Sequence, residues 1–131
     1  MIGVDTSVVV RYLVGSPSKQ ADRATRLFES DAEIGISLIV LLETGHVLRT
    51  QYGVRRADVV DGFIGLITRA NVTTIGASKP DVIDAIVRAR SLPGTPIADA
   101  LVVLSARNAG ALPIYTFDTD LHRHGGPVAT P

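Results

Sequence analysis

The 131-residue sequence contains no cysteine. That removes disulfides, thiolate catalysis and zinc–thiolate sites together, and it suits a reducing cytoplasm. Charge of one sign is missing too. Lys plus Arg number 13 and Asp plus Glu 13, a formal net charge of zero, so no bulk basic field marks a protein that coats nucleic acid nonspecifically. Basic residues gathered locally stay compatible with an enzyme acting on nucleic acid. Long apolar runs are also lacking. Leu38–Leu42 is far too short to cross a bilayer, and no basic segment leads into a long apolar stretch at the N-terminus. Neither a membrane span nor a signal peptide is expected. No repeat, low-complexity tract or Gly/Pro/Ser-rich linker divides the chain, which reads as one domain over residues 1–131.

What is present is an apolar content of 46%, ample for a single core. Ile2–Val4 reads as a short strand, followed by a helix that ends near Val14–Gly15, with Thr6 or Ser7 available as its cap. Ser16-Pro17-Ser18 is a turn, and Ala21, Ala24, Leu27 and Phe28 mark a second helix running to about Ser30. Ile34–Ile36 is a strand, and Ser37 caps a helix from Leu38 to about Tyr52. That helix opens so apolar that it is expected to be buried on all sides. Arg55–Arg69 predicts another helix, Val72–Ile75 a third strand, and Ser78-Lys79-Pro80-Asp81 the capped start of a helix that ends at Leu92-Pro93-Gly94. A helix over Ile97–Ala109, a strand over Pro113–Thr116 and an edge strand at Val128–Ala129 complete the chain. Strands alternating with helices predict an α/β fold, a three-layer α/β/α sandwich around a short parallel sheet.

Four acids stand in apolar surroundings: Asp5 and Asp118 directly after strands, Glu43 in the second turn of its helix, and Asp99 in the first turn of the Ile97 helix. Singly, Asp5 and Asp99 fit helix-start acids, and Asp118 and Asp120 fit turn formers. Glu43 is harder to place, because a buried carboxylate needs a partner and no Lys or Arg lies one turn away. A simple crossover would put the start of the Asp99 helix at the opposite sheet edge from Asp5. The two meet only if the helix before it reverses with it. Carboxylates brought together raise one another's pKa, and a hard divalent cation offsets that cost; oxygen donors without thiols suit magnesium, or manganese.

Val4-Asp5-Thr6-Ser7, Ser37-Leu38 through Leu41-Leu42-Glu43, Ile97-Ala98-Asp99-Ala100-Leu101 and Thr116-Phe117-Asp118-Thr119-Asp120-Leu121 occur in this order along nearly the whole chain. Together they resemble PIN-domain ribonucleases and, more narrowly, the VapC-type toxins of bacterial toxin–antitoxin pairs. The resemblance implies a magnesium-dependent endoribonuclease with the four acids in one pocket, Asp5 and Asp99 as principal metal ligands and Glu43 and Asp118 completing the site. Ser7 and Thr116 would support the ligands or touch substrate, and Asp120 would be an uncertain fifth acid. The resemblance also implies an RNA substrate, a homodimer, a cognate antitoxin and a cytoplasmic location. The proline-rich stretch Leu92–Ile97 departs from the pattern at one wall of the pocket.

Rival readings are a non-catalytic PIN-like module that binds peptide or RNA, and an aspartate-dependent phosphatase, which lacks its second Asp because Ser7 stands there. Glu43-Thr44-Gly45-His46 has the Glu-x-x-His spacing of di-iron bundles but no second copy. His46 is therefore read as a packed or solvent-edge residue, and His122 and His124 as surface residues. Arg11, Arg49, Arg55, Arg56, Arg88 and Arg90 are candidates for gripping phosphates.

Overall fold

The computed structural model describes residues 1–131. In chain order it contains β1 (Ile2–Gly3), α1 (Thr6–Val14), α2 (Ser18–Phe28), β2 (Ile34–Ser37), α3 (Leu38–Thr50), α4 (Arg56–Ile67), β3 (Val72–Ile75), α5 (Lys79–Arg90), α6 (Ile97–Ala109), β4 (Ile114–Tyr115), a 3₁₀ turn (Leu121–His124) and β5 (Val128–Ala129). The α/β architecture predicted from the alternation of elements is present, with helices packed around short parallel strands. No helix is long and apolar enough to cross a membrane.

β1, β2 and β3 form a parallel sheet in that order, Ile2 opposite Ile34 and Ile34 opposite Val72. The central strand is buried along Ile34-Gly35-Ile36. A side chain at Gly35 would meet Ile75 Cδ1 at 2.7 Å and Met1 Sδ at 3.0 Å, so the glycine lets side chains of both flanking segments close over the middle strand. The sheet does not extend to β4 as the simplest reading of the sequence expects. β4 pairs in parallel with β5 instead, because the Ile114 and Thr116 N–H groups donate to the Pro127 and Ala129 carbonyls. The four-strand sheet is thus three strands plus a separate pair.

The core joins the sheet to every helix. Phe28, Ile34, Ile36, Leu41, Val59, Phe63, Ile67, Ile86 and Leu101 are fully buried, and the Tyr12 and Phe28 rings pack with centroids 4.6 Å apart. Burying a side chain of this size stabilises by roughly 1.5–3 kcal/mol, so the helices are fixed chiefly by this shared interior.

α3 is not buried on all sides. Leu38, Leu41, Thr44, Gly45 and Leu48 face inward, while Ile39, Glu43 and His46 face solvent. At 100° per residue a run of five apolar residues covers the whole circumference, so the run itself could not say which side the core would take. α6 starts after the loop 91–96 and packs against both α5 and α3. Its last turn reaches the end of β3, where Asn108 Nδ2 donates to the Gly76 carbonyl at 2.6 Å. Gly110, at φ 73°, closes α6 in the left-handed conformation.

Candidate active site

Asp5 lies two residues beyond β1 and is the N-cap of α1. Its Oδ1 accepts from Ser7 N (3.0 Å), Ser7 Oγ (2.5 Å) and Val8 N (3.4 Å), which leaves Oδ2 without a protein donor. The Ser7 hydroxyl holds the carboxyl below its ordinary pKa, against an opposing effect of desolvation and with help from the Val8 and Ser7 N–H groups. Asp5 is therefore a cap and an exposed, firmly ionised carboxylate at once. Ser7 fixes its orientation.

Glu43 is exposed, so the sequence argument from a buried, partnerless carboxylate does not apply to it. Its position still matters, because α3 packs on both α1 and α6. α3 and α6 run antiparallel. Leu38, Ile39 and Leu42 share one groove with Leu101, Val102 and Ser105, and Gly45, His46 and Arg49 share another with Ile97 and Ala98. Glu43 lies on α3 between the residues of these two grooves.

Asp99 is half-buried in the first turn of α6 and accepts no hydrogen bond on its carboxylate. Burial first, and the neighbouring Asp118 second, push its pKa up, while His124 acts in the opposite direction. Asp118 is exposed in the turn after β4. Its N–H donates to Thr116 Oγ1 (2.9 Å) and its Oδ1 accepts from Asp120 N (2.8 Å), so Thr116 and Asp120 hold the turn that carries Asp118. The Asp120 carboxylate is exposed and makes no protein contact of its own.

The structure thus brings Asp99 and Asp118 into electrostatic contact. No three of the acidic or histidine side chains stand close enough together to hold one metal ion. Asp5 on α1 and Glu43 on α3 belong to no such group.

His124 was missed from the sequence. It is not a surface residue: it is 4% exposed, and neither ring nitrogen has a hydrogen-bond partner. Burial lowers its pKa, opposed by the charge of Asp99. Leu121 and His124, one turn apart, face inward together, and the tail closes over α6 so tightly that a side chain at Gly126 would meet Val103 Cγ1 at 2.9 Å. The Leu121/His124 spacing and the Gly125-Gly126 pair were the only local signals. His122 is exposed, as expected. His46 is exposed at the edge of a groove, with no second Glu-x-x-His to make a di-iron site.

The model of the PIN domain family matches residues 2–127. The chain belongs to the PIN domain family. No curated protein and no solved structure gives a match to it. PIN domains are generally metal-dependent nucleases, hydrolases acting on nucleic acids through divalent ions. The donors in this PIN domain fit such an ion in kind. They are oxygens only, and Asp99 is a half-buried carboxylate with no donor and a second acid beside it, a charge arrangement that a hard cation relieves.

Proposed function

We propose that this PIN domain is a magnesium-dependent endoribonuclease, the VapC-type toxin of a type II toxin–antitoxin pair acting in the cytoplasm. The observation that carries the reading is the Asp99–Asp118 pair. A half-buried carboxylate left without a hydrogen-bond donor and placed against a like charge costs folding energy, and a bound cation offsets that cost.

In this reading Asp5, through its free Oδ2, and Asp99 are the principal ligands of magnesium, with manganese able to replace it. Glu43 and Asp118 complete the set. A divalent ion held there supplies positive charge that activates water and stabilises the phosphodiester transition state. Glu43, exposed and free of protein partners, orients the attacking water and takes its proton as the new P–O bond forms. The P–O bond to the leaving ribose oxygen breaks in line. Ser7 keeps Asp5 in position, Thr116 keeps Asp118, and Asp120 adds negative field without a contact. His124, buried nearby, would favour the ionised form of Asp99 when it carries a proton.

The partners follow the same reading. An apolar groove joins Leu38, Ile39 and Leu42 to Leu101, Val102 and Ala106, with Ile39 76% exposed, and it supports a homodimer through α3 and α6. The antitoxin is expected to close the acidic site. That no three acidic or histidine side chains stand together favours one competing reading, a PIN-like module that binds RNA or peptide without cutting it.

Purified protein incubated with end-labelled RNA separates the two. Cleavage that requires magnesium, stops with chelator and drops at least about 100-fold in Asp99→Asn supports the nuclease, by analogy with removal of other charge-stabilising groups. Binding without cleavage under every divalent ion supports the module.

A further inference from the structure

Half of the six arginines that the sequence offers as phosphate grips are tied to side chains elsewhere. Arg55 pairs with Asp58 at 3.0 Å, Arg90 holds Asp61 at 3.1 and 3.2 Å, and Arg11 is bonded to Gln20 and Tyr52. Arg49, Arg56 (whose Nη1 also donates to the Ala89 carbonyl at 3.1 Å) and Arg123, which the sequence did not single out, converge around the loop 91–96 ahead of Asp99. Arg49 on α3 and Arg56 at the start of α4 line one groove of about 390 Å³ together with His46, Thr50 and Gly94–Ala98. Arg123 reaches the same loop from the 3₁₀ turn and donates to the Pro93 carbonyl at 3.2 Å. No carboxylate lines this groove. Its wall ends at Ala98, the residue before Asp99.

Gathering three guanidinium groups without an acid is unfavourable unless a polyanion is bound there. The mutual repulsion registers at Arg56, whose pKa is lowered by burial and then by Arg49 and Arg123. The loop supplies the rim. Thr95 is buried and donates to the Leu92 carbonyl at 3.1 Å, and Gly94 turns the chain at φ 81°. Pro96 offers α6 no side-chain cap, so the Ile97 and Ala98 N–H groups add unpaired donors beside the arginines. The segment that departs from the family pattern in sequence is therefore the wall of a basic slot.

We infer that this slot is a phosphate track, in which Arg49, Arg56 and Arg123 grip the backbone of single-stranded RNA on one side of the bond cut at the acids. The slot is bounded by α3, Arg56 and the 91–96 loop. The assignment rests on the nuclease reading for where the strand leads, but the contacts themselves do not require cleavage.

The test measures binding of a short fluorescent single-stranded RNA by anisotropy in EDTA, over about 50–200 mM salt. The proteins are wild type, Arg49→Ala, Arg123→Ala, their double variant, Arg49→Lys and Arg90→Ala. Each alanine is expected to weaken binding and reduce the log–log salt slope by about 0.7, the double variant by about 1.4. Arg49→Lys keeps the slope, and Arg90→Ala, whose side chain is tied to Asp61, behaves as wild type. Arg49 makes no protein contact that folding depends on, so its variant reports binding even where loss of Arg123 loosens the loop. An Arg49→Ala protein that melts and binds like wild type, slope included, overturns the track. The same RNA is then incubated with magnesium. Loss of slope in the variants of a protein that never cuts RNA upholds the track and sinks the nuclease; unchanged slopes in a protein that does cut sink the track and uphold the nuclease.

Discussion

Asp5 is asked to do two things, and substitution separates them. Asp5→Ala removes the oxygen that receives two backbone N–H groups and the Ser7 hydroxyl at the start of α1. Loss of such a cap costs about 1 kcal/mol, within a range of about 0.5–2 kcal/mol. For 131 residues an unfolding entropy of about 2.1 cal/mol/K per residue gives about 275 cal/mol/K, so 1 kcal/mol moves the Tm by roughly 4 °C. In EDTA at neutral pH the alanine variant should melt about 2–7 °C below wild type. Asp5→Asn keeps an acceptor in the same place and should lose less than half as much, the remainder reflecting the charge that folding favours in Asp5. Because the folded-state pKa of Asp5 is lowered, that contribution is present above the unfolded carboxylate value and disappears as pH falls through the folded one. Magnesium at about 100 times its Kd should add about 2.7 kcal/mol, or about 10 °C, to wild type. Both variants should lack that gain. Melts followed by far-UV circular dichroism, with EDTA and with magnesium, decide the matter. Equal Tm values for all three proteins in EDTA refute the cap, and an undiminished magnesium gain in Asp5→Asn refutes the ligand.

Two further predictions concern Asp99 and His124. Asp99→Asn should melt above wild type in EDTA at pH 7, since a raised carboxylate pKa means that the folded state binds its proton more tightly than the unfolded chain and ionisation destabilises the fold. Wild type should lose this stability as pH rises from the unfolded value near 4 through the raised folded one, and the variant should lack that limb; an Asn protein that melts lower makes Asp99 structural. His124→Phe should flatten the acid side of the stability profile. Burial keeps His124 neutral when folded, so wild type loses stability as pH falls below about 6.5, where the unfolded histidine gains a proton first. Melts between pH 7 and pH 5.5 check it, and an identical acid slope in the variant contradicts it.

Elements with local causes were legible in the sequence. The Ser37 cap of α3, the Ser78-Lys79-Pro80 start of α5 and the Gly110 stop of α6 all appear where short-range chemistry predicts them, while the cap of α1 is Asp5 rather than the expected Thr6 or Ser7, which both lie inside the helix. Helix ends shifted by a residue or two, as at Phe28 rather than Ser30 and at Thr50 rather than Tyr52. What escaped depends on tertiary choices. The apolar opening of α3 hid which side would be wet, and Glu43 lay on that side. β4 had β1 and β5 as possible partners, and nothing in Ile114-Tyr115 distinguishes them. His124 is buried by a tail folding across α6, a contact twenty residues of local pattern do not encode. For the arginines, sequence supplied the charges, while freedom from partners at Arg49 and occupation at Arg55 and Arg90 emerged only with the fold.

The central claim is that Asp5, Glu43, Asp99 and Asp118 serve one cation. Titration of manganese into wild type, Asp5→Asn, Glu43→Gln, Asp99→Asn and Asp118→Asn, with free ion followed by electron paramagnetic resonance, tests it directly. The account predicts that every substitution weakens the same site, Asp5→Asn and Asp99→Asn most. Manganese held by Asp5→Asn as tightly as by wild type contradicts it and leaves Asp5 the cap of α1 alone.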